Sequence, residues 1–80
     1  MSVTVLLFAS YADMFGAPSL AVDLPTGSTV SDLVAQLRRH PGAGRLPAVP
    51  LVAVNQRYAS SSSTIQPGDE VAIIPPVAGG

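Results

Sequence analysis

Residues 3–9, Val-Thr-Val-Leu-Leu-Phe-Ala, form a short apolar run with β-branched positions, and this pattern predicts a strand. Successive strand side chains alternate, so Val3, Val5 and Leu7 fall on one face and Leu6 and Phe8 on the other. Ser10 is expected to cap one or two helical turns that reach Phe15, with Gly16 as their stop. Leu20, Val22 and Leu24 then alternate with Ala21 and Asp23, the pattern of a second, half-buried strand. Pro25-Thr26-Gly27 is turn chemistry, and Thr29 followed by Asp32 is a capping-box variant. Val30, Leu33, Val34 and Leu37 recur at i, i+3, i+4 and i+7, so a helix is predicted to start near Val30 and turn one apolar stripe to a core. Arg38, Arg39 and His40 would end it at the pole that favours cations, and Pro41-Gly42 would stop it.

Residues 43–50 are punctuated by glycine and proline without a period, and they read as a loop into a third strand, Leu51-Val52-Ala53-Val54. Asn55-Gln56 has the look of a hairpin turn, and Arg57-Tyr58 of a short return strand. The tract Ser60-Ser61-Ser62-Ser63 reads as loop. Pro67-Gly68-Asp69 is a turn, and it launches the last strand, Glu70-Val71-Ala72-Ile73-Ile74. Pro75-Pro76 must end that strand, because proline donates no ladder hydrogen bond. Residues 77–80 are therefore expected to leave the sheet as an extended, mobile tail, beyond a domain spanning residues 1–76.

Strand, strand, helix, strand, short strand and strand make an α+β domain with one helix laid on one sheet. One helix covers only one face. The first strand carries Leu6 and Phe8 on its second face, and the last strand splits Val71 and Ile73 from Ala72 and Ile74. Apolar side chains on a face without a helix point to a partner surface, the alternative being central strands that lie beneath a loop.

Composition sharpens this by exclusion. Eighty residues with 48% hydrophobic and 11% charged side chains make one small domain, which buries only roughly 60% of its unfolded surface. Cysteine is absent and His40 is the single histidine, so thiolate ligands, a catalytic thiol and a multi-histidine metal cluster are excluded. The basic residues are four arginines with no lysine, and the net charge is -1, so no basic stripe suits nucleic acid. No apolar run approaches the roughly 20 residues of a spanning helix. No basic segment precedes a cleavable apolar one, so no secretion signal is expected, and the expected location is cytoplasmic.

The candidate chemistry is sparse. His40 sits at a helix end where the dipole alone accounts for it, and it is expected to be structural. Asp69 and Glu70 are adjacent in a turn and a strand, which points them apart and makes paired acid–base work improbable. Ser10, Ser28 and Ser31 lack a local histidine base, and Gly42-Ala43-Gly44 lacks the spacing and lysine of a phosphate loop. The end Gly79-Gly80 has no side chains. It could thread a narrow channel and present a main-chain carboxylate to another protein's catalytic groups, reaching roughly 20 Å from Pro75. On Gly-Gly alone a frayed end is the favoured reading, because glycine-rich termini are commonly just mobile. A carboxylate with a pKa of about 3.5 is a poor acyl electrophile at neutral pH, so a reactive end would need activation, for instance as an acyl adenylate.

Nearly the whole chain resembles the small, ubiquitin-like sulfur-carrier subunits of molybdopterin synthase, the MoaD family within the MoaD and ThiS group. The likeness rests on residues 5–9 followed by residues 10–16, on Val52-Ala53-Val54-Asn55-Gln56, on Gly68-Asp69-Glu70-Val71-Ala72, and on the ending Pro75-Pro76-Val77-Ala78-Gly79-Gly80. Tyr11-Ala12-Asp13-Met14 departs from the pattern, lacking the Arg-Glu dipeptide often seen there, and no role is transferred to it.

The resemblance implies a β-grasp fold of four to five strands. It implies that the Gly80 carboxylate is adenylated by an E1-like adenylyltransferase that uses ATP, then receives sulfur from a donor protein as a thiocarboxylate. It further implies that the tail inserts into the large subunit of molybdopterin synthase, in a heterotetramer of two small and two large subunits, and gives sulfur to cyclic pyranopterin monophosphate to form the dithiolene. Gly80 and Gly79 are the reacting end, Phe8, Ile74, Pro75, Pro76, Val77 and Ala78 the expected partner contact, and no cofactor, metal, nucleic acid or membrane is expected to bind. Three alternatives share these features: a sulfur carrier for thiamine thiazole or cysteine synthesis, a ubiquitin-like modifier of lysines, and a binding module with an inert end.

Overall fold

A computed structural model describes residues 1–75 of the chain, and residues 76–80, with the expected tail and the domain end at Pro76, lie outside the described residues. The elements in order are β1 (Ser2–Leu7), α1 (Ser10–Phe15), β2 (Ser19–Asp23), α2 (Val30–Leu37), a 3-10 turn (Pro41–Arg45), β3 (Leu51–Val54), β4 (Arg57–Tyr58) and β5 (Glu70–Ile74). They build one five-stranded mixed sheet in the order β2-β1-β5-β3-β4. Strand β1 is antiparallel to β2 and parallel to β5, and β3 is antiparallel to both β5 and β4.

The strand periods assign the faces as expected. Val3, Val5 and Leu7 of β1, Val52 of β3 and Val71 and Ile73 of β5 point to one side and are buried there against Val30, Leu33 and Leu37 of α2. Burying an aliphatic side chain of this size is worth about 1.5–3 kcal/mol. The capping box is present in full: Thr29 N–H donates to the Asp32 carboxylate at 2.9 Å, and Asp32 N–H to the Thr29 hydroxyl at 3.3 Å. The serine tract is a loop, and it has a further task. The carbonyls of Ser63 and Ser61 accept from Val30 N–H and Ser31 N–H, both at 2.9 Å, so they satisfy first-turn amides of α2 that have no partner within the helix.

Two local expectations need correction. Ser10 does not cap α1: Ala9 holds that position at φ 48°, ψ -123°, no side chain caps the helix, and the first turn closes through Tyr11 N–H to the Phe8 carbonyl at 2.9 Å. Gly16 ends α1 in the left-handed region, as expected. The second correction concerns residues 38–50. Helix α2 ends at Leu37, and Pro41 opens a new helical turn through Arg45 where only loop was expected. Proline halts the preceding helix yet presets φ for the first position of the next. His40 therefore caps the 3-10 turn, its Nδ1 accepting from Gly42 N–H at 3.0 Å, while its ring tilts against Phe15 with centroids 5.0 Å apart. Arg38 donates its guanidinium to the carbonyls of Pro47 and Ala48, and so ties the loop before β3 to the end of α2.

Candidate partner surface and C-terminal end

The face of the sheet away from α2 has no second layer among the described residues. The register places Leu6, Ala72, Ala53 and Tyr58 in one row across β1, β5, β3 and β4. The next row pairs Ile74 with Leu51, and Phe8 continues the parity of β1 beside it. The middle of the first row is small, with Ala53 and Ala72 each 9% exposed, and the flanks are large, with Phe8 47%, Leu51 50% and Tyr58 75% exposed. Alanines under larger walls leave a groove of about 400 Å³, lined by Leu6, Phe8, Ala53, Tyr58, Ala72 and Ile74 and closed at one end by Gln56 and Glu70. Polarity runs along the strands. Thr4 faces Glu70 at the start of β5, whereas Leu51 faces Ile74 at its end. The apolar end of this face is thus the end at which β5 passes into Pro75, which is half-buried.

The polar end is fixed by one side chain. Asn55 accepts Glu70 N–H on Oδ1 at 3.0 Å and donates from Nδ2 to Asp69 at 2.9 Å, while its own N–H meets the Glu70 carbonyl at 2.7 Å. Asp69 also accepts Gln66 N–H at 2.8 Å. That backbone hydrogen bond, and then the one from Asn55, hold the Asp69 carboxyl below its ordinary value of 3.8. Asn55 and Gln56 both have positive φ, at 52° and 70°, the geometry of a tight two-residue hairpin turn. The Asp69–Glu70 pair is therefore turn architecture, and among the described residues no group of three histidine, cysteine or acidic side chains is placed to hold a metal.

A family model described as the ThiS family matches residues 5–80. The chain belongs to the ThiS family. This ThiS-family chain is 40% identical over 80 residues to the molybdopterin synthase sulfur carrier subunit of Dictyostelium discoideum, covering 95% of this chain and 93% of that one. It is 35% identical to the subunit of the same name from Arabidopsis thaliana, over 100% of this chain and 84% of that one. Among solved structures it is similar to SAMP1 from Haloferax volcanii, with a TM-score of 0.85 and 31% identity over 100% of both chains. The fold is the ubiquitin-like β-grasp.

Of the expected contact residues, Phe8 and Ile74 lie together on the bare face and Pro75 follows from it, while Pro76, Val77, Ala78, Gly79 and Gly80 lie outside the described residues. His40 is on the other side of the molecule, in the packing of Phe15. Sequence reasoning missed Leu51, Ala53 and Tyr58 on this surface and Asn55 as its brace. The alternation of β3 was visible in the sequence, but which of its faces joined Leu6 depended on the pairing of β3 with β5.

Proposed function

We propose that this chain is the sulfur carrier subunit of a molybdopterin synthase and that its cargo is one sulfur atom on the Gly80 carboxyl carbon. The observation that carries this reading is the uncovered apolar face whose apolar end leads into Pro75 and on to Gly79-Gly80. The names borne by its relatives support it. In the reaction the Gly80 carboxylate attacks the α-phosphate of ATP on an E1-like adenylyltransferase and releases pyrophosphate. A sulfide equivalent from a donor protein then displaces AMP and leaves a thiocarboxylate. Held in the large subunit, the thiocarboxylate passes its sulfur to cyclic pyranopterin monophosphate, toward the dithiolene. The carrier supplies no catalytic side chain. It supplies a docking face, reach, and an end without the β-carbons that would block close approach. No cofactor resides in it, ATP being a substrate of the activating enzyme, and its compartment is the cytoplasm.

The test is intact mass after incubation with the activating enzyme, ATP and a sulfur donor, followed by addition of the large subunit and the pterin. Replacement of one oxygen by sulfur at Gly80, and its loss on dithiolene formation, is the expected result. Deleting Gly80 moves the reacting carbon by about 3.5 Å, beyond the roughly 1 Å that an aligned attack tolerates, so the truncated chain should stay unsulfurated with an unchanged melting curve. Normal sulfuration of that truncation would overturn the proposal. The likeness to SAMP1, a small archaeal modifier protein, favours a second reading as a protein modifier, and adducts on partner lysines in place of a thiocarboxylate would select it.

A further inference from the structure

The sheet has two edges, and they differ. Strand β4 is two residues long, too short to template another strand, whereas β2 runs five residues, Ser19–Asp23, in unbroken one-to-one register with β1. It contains no lysine, no proline and no bulge, the usual devices that blunt an edge. Met1 and Leu24 exchange both of their backbone hydrogen bonds. Alternation along an antiparallel ladder then gives Val22 and Leu20 to β1 and turns the N–H and C=O groups of Ser19, Ala21 and Asp23 outward. Among the described residues no backbone hydrogen bond reaches that outward row.

We propose that the β2 edge pairs with the β2 edge of a second copy of this chain, antiparallel, about a two-fold axis at Ala21. The occupant follows from self-complementarity. In that register Ala21 faces Ala21 of the second copy and exchanges both hydrogen bonds with it. Ser19 faces Asp23 of the second copy, so each carboxylate meets a hydroxyl donor and the two acids are kept apart. Leu20 faces Val22 of the second copy in a non-hydrogen-bonded pair, where side chains approach most closely. Both are half-buried beside a groove of about 460 Å³ between β2 and the end of α2, lined also by Leu37, Arg39 and Pro41. The pairing therefore joins apolar surface on the helix side and satisfies the whole outward row. It makes one continuous sheet from two chains and leaves the groove over β1, β5, β3 and β4, with Pro75 beside it, free on each. An edge this short buries less than the roughly 1,200 Å² of a stable complex, so the dimer is weak and concentration-dependent.

The full chain is to be followed by sedimentation equilibrium up to about 1 mM, the range of weak complexes, with amide exchange measured by NMR at the two ends of that range. The expected result is a monomer–dimer equilibrium with slowed exchange at Ser19, Ala21 and Asp23 in the concentrated sample. Ala21 is exposed, so Ala21→Lys and Ala21→Glu should each keep the parent melting curve and weaken the dimer at least tenfold. An equimolar mixture of the two should dimerise again, because the axis sets Lys against Glu. A chain that stays monomeric, a dimer untouched by both charges, or slowed exchange confined to the Phe8–Ile74 face would each overturn the proposal, and the exchange measurement on the unmodified chain decides even if a variant fails to fold. Binding of an unrelated extended peptide to β2 without self-association would overturn it as well.

Discussion

Ala9 sits at φ 48°, a backbone region that alanine rarely occupies, at the joint between β1 and α1 and next to exposed Phe8. Such strain costs about 1–3 kcal/mol, against a glycine penalty of about 0.5–1 kcal/mol from the freer unfolded chain. Ala9→Gly is thus expected to stabilise the domain by about 1 kcal/mol and raise the melting temperature by about 5 °C. A lower melting temperature would show that the joint is relaxed with its β-carbon in place. Asp69 ties β5 to the hairpin turn at Asn55 and has its pKa lowered in the fold. A depressed carboxylate stabilises the fold at pH values above its unfolded pKa, near 3.8, and that contribution fades as pH falls through the lower folded value. Thermal melts of the parent and of Asp69→Asn should therefore differ at neutral pH and converge in acid. Curves separated by a constant gap down to low pH would mean that Asp69 acts through packing alone.

At the scale of elements, the helix and the bare face make opposite predictions. Leu33 is fully buried between α2 and the sheet, so Leu33→Ala should cost about 2–5 kcal/mol, read from denaturant unfolding. Phe8→Asp should leave unfolding nearly unchanged and, on the proposed function, abolish co-purification with a molybdopterin synthase large subunit, because the charge would be stripped of water only in that complex. Unfolding by Phe8→Asp, with Leu33→Ala silent, would mean that the two faces are exchanged. These faces were legible from the chain because periods of 2 and 3.6 are local properties, carried by Val3, Val5 and Leu7 and by Val30, Leu33 and Leu37. The capping box was legible for the same reason. What escaped was set by distant partners. Arg38 looks like a helix-end cation until Pro47 and Ala48 turn their carbonyls toward it, and Ser61 and Ser63 look idle until they meet the amides of α2. The 3-10 turn was hidden by its own proline, which signals a stop and a start alike. For the site, parity predicted Phe8 and Ile74, whereas Leu51 and Tyr58 awaited the strand order.

Across the whole molecule, β5 is the middle strand and, among the described residues, the only strand that pairs with both the β2-β1 pair and the β3-β4 pair. A chain stopped after Asp69 should be unfolded by circular dichroism, while one stopped after Pro75 should melt like the full chain. A cooperative melt in the shorter chain would show that the two hairpins can join without β5. The keystone of the sheet is thus made last. A nascent chain that has yet to bring Glu70–Ile74 out of the ribosomal exit tunnel has both strand pairs out and no strand to join them, so the sheet closes only once β5 emerges. A copy lost to premature termination stays open to proteases. In a population of folded domains nearly every member has therefore been translated through Ile74, which places a check on translation only a few residues ahead of Gly79 and Gly80, the residues proposed to carry the sulfur.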